Sequence, residues 1–151
     1  MLVYLTGPLS ALIYNEKSDW RIATSERLAE HDIVCTWSPR MRDYEGFRES
    51  SALKWRERYC EPVRIESAQD RNALGRSDVL LVNFEESPHQ PALGACIEIG
   101  RADAWGIPII AAISPEGVHD HLAVLASCSD VVATMAEAEE HVKSMAQKLL
   151  R

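Results

Sequence analysis

The stretch "GACIEIG", residues 94–100, contains a single charged residue, Glu98, flanked by Ile97, Ile99, Ala95 and Cys96. Ionised carboxylates are almost never buried unless they are paired or used. A helix opening at Gly94 sets Glu98 about one turn in, where the helix dipole favours an anion and apolar neighbours limit its hydration. A desolvated, ionised carboxylate is what a nucleophile or a general base requires. The alternative is a helix-start glutamate that satisfies backbone N–H groups.

A second carboxylate widens the chemistry. "AQDRNALGRSDVLLVN", residues 68–83, offers Asp70 in mid-helix, where aspartate has poor propensity, and Asp78 at the entrance of a strand. Asp78 lies at the wrong end of that strand for a ligand and reads as a turn or cap residue. Two carboxyls about 5 Å apart suit a retaining glycosyl transfer, one attacking the anomeric carbon and the other protonating the leaving group. "HDH" at 119–121 has the look of a metal pair, but no third ligand set accompanies it. His119 is read instead as a polar lining group or a helix cap, and neither metal nor cofactor is expected. "TGPLS" lacks the GxGxxG spacing and no GxxxxGK[ST] occurs, so the dinucleotide and triphosphate fingerprints are missing.

These residues are positioned by a regular alternation. "LVYLTG" (2–7), "DIVCTW" (32–37), "SDVLLVNF" (77–84), "IPIIAAI" (107–113) and "DVVAT" (130–134) read as strands. Helices are expected from a Ser18-Asp19 cap to about Glu30, from Pro62 to Gly75, from Gly94 to Trp105, over about 119–127, and from Ala136 to Leu150. The first of these draws its apolar side from Trp20, Ile22, Ala23 and Leu28. Residues 40–62 interrupt the rhythm as a charged insertion, a loop plus an exposed helix, within a single domain spanning 1–151. Strands alternating with helices imply a parallel sheet covered on both faces, here a flavodoxin-like doubly wound α/β fold with five strands in the order 2-1-3-4-5. Ligands bind such sheets beyond the carboxyl ends of the strands, where the order reverses. That crevice lies between strand one and the "SDVLLVNF" strand, near whose end stands Asn83. It is bordered by "TGPLS", "NFEESPHQPALG" and "SPEGVHDH".

Sixteen Lys and Arg against 23 Asp and Glu give a net charge of -7, which argues against a nucleic-acid polymer as partner. No apolar run is long enough to cross a bilayer, and "MLVYLTGPLS" lacks the basic n-region and long h-region of a signal peptide. Cys35, Cys60, Cys96 and Cys128 form no CxxC pair and read as reduced thiols, so a cytoplasmic protein is expected.

Taken together, "VYLTGPLSALIYNEKSDWR", "QDRNALGRSDVLLVN", "GACIEIGRADAWGIPII" and "SPEGVHDH" resemble the nucleoside 2-deoxyribosyltransferase family. "QPALGACIEIGRA" is also similar to the related 5′-monophosphate deoxyribonucleoside N-glycosidases. The resemblance implies that Glu98 is the nucleophile and forms a covalent deoxyribosyl intermediate. It assigns Asp70 to the departing base and Tyr4 to orienting the catalytic carboxylate. It also implies substrate contacts for Gly7, Pro8, Leu9 and Asn83, and a tight turn at Gly94 that brings backbone to the sugar. His119, Asp120 and His121 become binding candidates, which can serve a neighbouring chain of a homodimer or larger homo-oligomer. The implied partners are a nucleoside or nucleotide and a free purine or pyrimidine base. Two positions depart from the pattern. Ala92 stands where the transferases often carry an acid and the N-glycosidases a serine, and Pro8 stands where the latter need a hydroxyl. Arg40 and Arg42 are alternative phosphate contacts, or else charged surface. Trp37 either stacks on a base or packs at the core rim.

Overall fold

The computed structural model describes residues 1–8, 20–38, 67–85 and 88–149. Leu9, Arg40, Arg42, Cys60, the Ser18-Asp19 cap and the 40–62 insertion lie outside these residues. Five strands form one parallel sheet: β1 (Leu2–Thr6), β2 (Val34–Thr36), β3 (Val79–Asn83), β4 (Ile109–Ala112) and β5 (Asp130–Val132). Their order is β2-β1-β3-β4-β5, the doubly wound order expected from the alternation. The register pairs Val3 with Cys35 on one side of β1 and with Val79 on the other. Strand order therefore reverses between β1 and β3, where the chain exits at Gly7 and Phe84 respectively.

The helices are α1 (Trp20–Ala29), α2 (67–74), α3 (Leu93–Ala104), α4 (Leu122–Ser127) and α5 (Met135–Leu149). The period-2 alternation of the strands divides the core between two faces. Val3, Leu5, Val79, Leu81 and Ile110 pack with Trp20 and Leu28 of α1 and with Met135, Ala138 and Val142 of α5. On the opposite face Tyr4, Leu80, Val82, Ile109 and Ala111 pack with Leu74 of α2 and with Ala95, Ile99 and Ala102 of α3. β1 therefore turns Tyr4 and Thr6 toward α3, while Val3 and Leu5 face α1 and α5.

α3 ends in a Schellman motif. Gly106 takes a left-handed φ of 69°, the Ile107 N–H donates to Ala102 O at 2.9 Å and the Gly106 N–H to Asp103 O at 3.0 Å. This stop fixes where β4 begins. Asp78, read as a cap or turn residue, accepts the Leu2 N–H at 2.7 Å and ties the start of β1 to the start of β3.

Three expectations are corrected. α4 begins at Leu122, so His119, Asp120 and His121 precede the helix rather than belong to it. β2 and β5 are three-residue edge strands, shorter than "DIVCTW" and "DVVAT". The buried face of α1 is Trp20, Arg21, Thr24 and Leu28, with Ile22 and Ala23 only partly covered. Thr24 faces inward because α5 brings Glu139 against it. The Glu139 carboxylate is 3% exposed, accepts from Thr24 Oγ1 at 2.9 Å, and is gripped by Arg27 Nε at 2.9 Å and Nη2 at 2.7 Å.

Candidate active site

A cavity of about 230 Å³ opens at the reversal of strand order. One wall is the exit of β1, Tyr4 to Pro8. The other is the segment Gln90–Ala95 leading into α3, together with Glu98. Arg21 and Ser38 complete the lining among the described residues.

The buried stripe of α3 is Ala95, Glu98, Ile99 and Ala102, spaced i, i+3, i+4 and i+7. Glu98 thus occupies a core position, 7% exposed, on a helix whose neighbouring stripe residues are apolar. Such a carboxylate needs hydrogen-bond donors. β1 supplies two, because residues two apart on a strand share a face. Tyr4 Oη donates to Glu98 Oε1 at 3.1 Å, and Thr6 Oγ1 donates to Glu98 Oε2 in a short hydrogen bond. Each carboxylate oxygen is held by a different hydroxyl, which fixes the plane of the group at the cavity wall. Ala92, the N-cap residue of α3, makes no side-chain cap bond of its own, and its N–H is held by His119. Glu98 is thus used across the helix–sheet interface, in bonds to two hydroxyls of β1.

Gly7 carries the close approach at the crevice floor. A Cβ there would lie 2.5 Å from Asn83 O and 3.2 Å from the Trp20 ring, so only glycine lets β1 exit beside β3. Arg21 is 5% exposed; its Nη2 donates to Gly7 O at 3.3 Å and its Cζ lies 4.6 Å from the Trp20 ring centroid. The N-terminal N–H groups of α3 add positive potential at the same cavity.

The sequence-derived residues divide into three groups. Tyr4, Gly7, Pro8, Gly94 and Glu98 line one cavity together. Gly94, expected in a tight turn, is already helical in the first turn of α3, and a Cβ there would meet nothing within 4 Å. Asn83 and His119 are buried behind the lining. Asn83 Oδ1 accepts the Glu85 N–H at 3.0 Å, and His119 Nε2 accepts the Ala92 N–H at 2.9 Å. Asp70 is 2% exposed and sits one turn before Leu74 on the inner side of α2, outside the cavity lining. Asp120 and His121 are exposed, and His121 Nδ1 accepts the Ala123 N–H at 3.2 Å to cap α4. Both histidines of "HDH" therefore commit a ring nitrogen to a backbone N–H. Trp37 is half-buried against the α1/α5 face of the core, and is not a lining residue.

Sequence reading placed Thr6 and Gln90 in segments bordering the crevice without singling them out, and missed Arg21 and Ser38. Thr6 had a usable signal, its i+2 relation to Tyr4. The inward turn of Arg21 follows from the Trp20–Thr24–Leu28 stripe, which becomes visible only once α5 is known to bring Glu139. The thiols of Cys35 and Cys128 are each pushed up to about 11 by burial and read as structural, not nucleophilic.

No family model and no curated protein sequence matches the chain. Solved structures similar to it across nearly its whole length include the following two. A conserved protein from Enterococcus faecalis V583 superposes with a TM-score of 0.61 at 18% identity, over 97% of each chain. A 2-deoxyribosyltransferase from the psychrotolerant bacterium Bacillus psychrosaccharolyticus gives 0.59 at 17% identity, over 92% of this chain and 90% of that one. Identities this low speak for architecture alone, and at that level the protein shares the flavodoxin-like, doubly wound α/β fold of the deoxyribosyltransferase.

Proposed function

We propose that this protein cleaves the N-glycosidic bond of 2′-deoxyribonucleosides and passes the deoxyribosyl group to another base. The observation that carries the reading is the buried Glu98 carboxylate, held by Tyr4 and Thr6 at the wall of the cavity. The fold shared with a deoxyribosyltransferase supports it.

In this reading one Glu98 oxygen forms a bond to C1′ as the C1′–N bond breaks. The electron pair of that bond leaves with the base, which takes up a proton. In the second half-reaction a nitrogen of the incoming base attacks C1′, the ester electron pair returns to Glu98, and the incoming nitrogen loses its proton. Two displacements at C1′ retain its configuration. The two hydroxyl donors hold Glu98 in one orientation for attack, so little reorganisation is needed at the transition state. The assignment of Asp70 to departure of the base rests on the family resemblance, since Asp70 is buried on α2 outside the cavity lining. Residues 1–151 act as one domain, and copies of the chain associate. Exposed apolar side chains on α3 (Leu93, Ile97), on α4 (Leu122) and before it (Val118) favour that assembly.

A second reading, hydrolysis of deoxynucleoside 5′-monophosphates, is favoured by the start of α3 at the cavity wall, where the helix N-terminal N–H groups suit an anion. Incubation with deoxyinosine and adenine, then with deoxyinosine 5′-monophosphate, separates the two by chromatography. New deoxyadenosine identifies a transferase, and free hypoxanthine from the monophosphate alone identifies the hydrolase. Binding without turnover of either substrate would sink both and leave a nucleotide sensor. Glu98→Gln should abolish product while keeping the fold, and persistent turnover would remove Glu98 as nucleophile.

A further inference from the structure

The loop after β4 is fastened to the loop after β3 at three points. The Val118 N–H donates to Pro88 O at 2.7 Å. Gly117 comes so near that a Cβ would lie 3.2 Å from Pro88 O and 3.0 Å from Ser114 O. The third point is His119, whose Nε2 accepts the Ala92 N–H at 2.9 Å. Its ring lies flat on Phe84, with centroids 3.7 Å apart and planes within 5°. Ala92 is the N-cap position of α3, lines the cavity, and has no side chain able to hold its own segment.

We propose that His119 is a positioning residue for the cavity: its uncharged ring, as an acceptor, holds the Ala92 N–H and fixes the Gln90–Ala95 rim from which α3 and Glu98 start. An accepting Nε2 carries no proton. A protonated ring would turn an N–H toward the Ala92 N–H, and attraction would become repulsion. Nδ1 is buried without a hydrogen-bond partner among the described residues, so a second charge-assisted bond does not compensate there. Burial holds the ring below the usual histidine range, which keeps it in the accepting state near neutral pH.

The charged groups around it are otherwise engaged or exposed. Glu116, Asp120 and His121 on its own loop are exposed, and on the β3–α3 segment Glu85 accepts the Met135 N–H while His89 is exposed. On α3, Glu98 meets Tyr4 and Thr6, while Arg101 and Asp103 lie on the last turns. Glu86 lies outside the described residues.

This inference does not depend on the reaction proposed above, so its test needs no substrate. The isotope-labelled full chain is followed by NMR from pH 8 to 5. A scalar coupling across the Ala92 N–H···N bond is expected at high pH. As the imidazole titrates, protection of the Ala92 amide against exchange should fall about tenfold, with Leu93 and Gly94 shifting at the same midpoint. His119→Phe keeps the stack without the acceptor and should show the lower protection at every pH. His119→Gln, an acceptor that does not titrate, should restore protection and abolish its pH dependence. Absence of the coupling, or an Ala92 amide indifferent to imidazole protonation, overturns the proposal. If His119→Phe does not fold, the wild-type titration decides alone.

Discussion

Tyr4 and Glu98, 94 positions apart in the chain, are joined by a 3.1 Å hydrogen bond at the one place where the order of the strands reverses. Two periodicities bring them together. Residue 4 belongs to the strand face that looks at α3, and residue 98 to the helical stripe that looks back at the sheet. Thr6 reaches the other carboxylate oxygen from the next inward position of β1. A hydrogen bond to a charged group contributes about 1.5–3 kcal/mol. Tyr4→Phe and Thr6→Val are therefore each expected to lower kcat/KM about tenfold to a hundredfold, with Thr6→Ser recovering most of the loss. Steady-state assays on the deoxyinosine–adenine exchange check this. Unchanged kcat/KM in both variants would show that the orientation of Glu98 is not set by β1.

Gly7 and Gly94 line the same cavity but make opposite predictions. At Gly7 a Cβ would sit 2.5 Å from Asn83 O, so Gly7→Ala must push β1 away from β3 and should cost about 2 kcal/mol or more in urea unfolding. At Gly94 a Cβ meets open space within α3. Gly94→Ala should hold or raise stability by about 0.5–1 kcal/mol, as helix propensity favours alanine. If substrate occupies the cavity, the same methyl group intrudes on it and KM rises. Equal destabilisation by the two substitutions would contradict this picture.

The architecture was legible because strand alternation, helix stops and turn residues agree with one another along the chain. The Gly106 stop and the apolar run of β3 leave little freedom in where β4 and the crevice fall. Glu98 was legible because a charge inside a buried stripe conflicts with its surroundings. Thr6 and Arg21 were harder. A threonine in a strand satisfies strand propensity and signals nothing, and an arginine at a helix start reads as solvated. His119 was visible as a histidine, but its stacking on Phe84 and its bond to Ala92 need the tertiary fold. Asp78 was legible as a cap-type residue from its position at the entrance of β3, whereas the helix cap expected at His119 falls on His121, because α4 starts later than the pattern suggests.

Glu139 gives a stability prediction remote from the cavity. Its buried carboxylate is held by Thr24 and by both nitrogens of an Arg27 fork, and that contact raises the Arg27 pKa. Arg27→Ala would leave the carboxylate buried with Thr24 as its remaining partner among the described residues. Arg27 is half-exposed, so water replaces part of the loss, and the cost should be about 2 kcal/mol. Arg27→Ala combined with Glu139→Leu should recover most of it, because the buried charge is then gone. Urea denaturation of the single and double variants measures the coupling, and purely additive losses would refute it.

His119 also predicts how stability depends on pH. An unfolded chain protonates this imidazole near pH 6.5, whereas burial delays protonation in the folded protein. Below pH 6.5 the unfolded state therefore binds more protons, and stability falls with falling pH down to the folded-state value. Above pH 6.5 the ring is neutral in both states and contributes no slope. Urea unfolding from pH 8 to 5 should give a steeper decline for the wild type than for His119→Gln in that window. Parallel curves would mean that the ring titrates normally.

Leu122 is 83% exposed and Leu93 73%, on two helices that pack on each other beside the cavity. Exposed side chains of this size at the start of neighbouring helices are costly to hydrate, and burying each against a second copy would contribute about 1.5–3 kcal/mol. An isologous contact counts every such side chain twice, so one substitution removes two buried groups. Leu122→Asp is therefore expected to convert an oligomer to monomer in light scattering while the far-ultraviolet circular dichroism stays unchanged. Activity measured on that monomer then tells whether the loop before α4, with Asp120 and His121, serves the cavity of a neighbouring copy. If turnover per chain survives dissociation, each chain holds a complete site. If it is lost while the Tyr4–Glu98 pairing persists, the exposed carboxylate and imidazole act across the interface. A wild-type chain that scatters as a monomer at assay concentration would remove the premise.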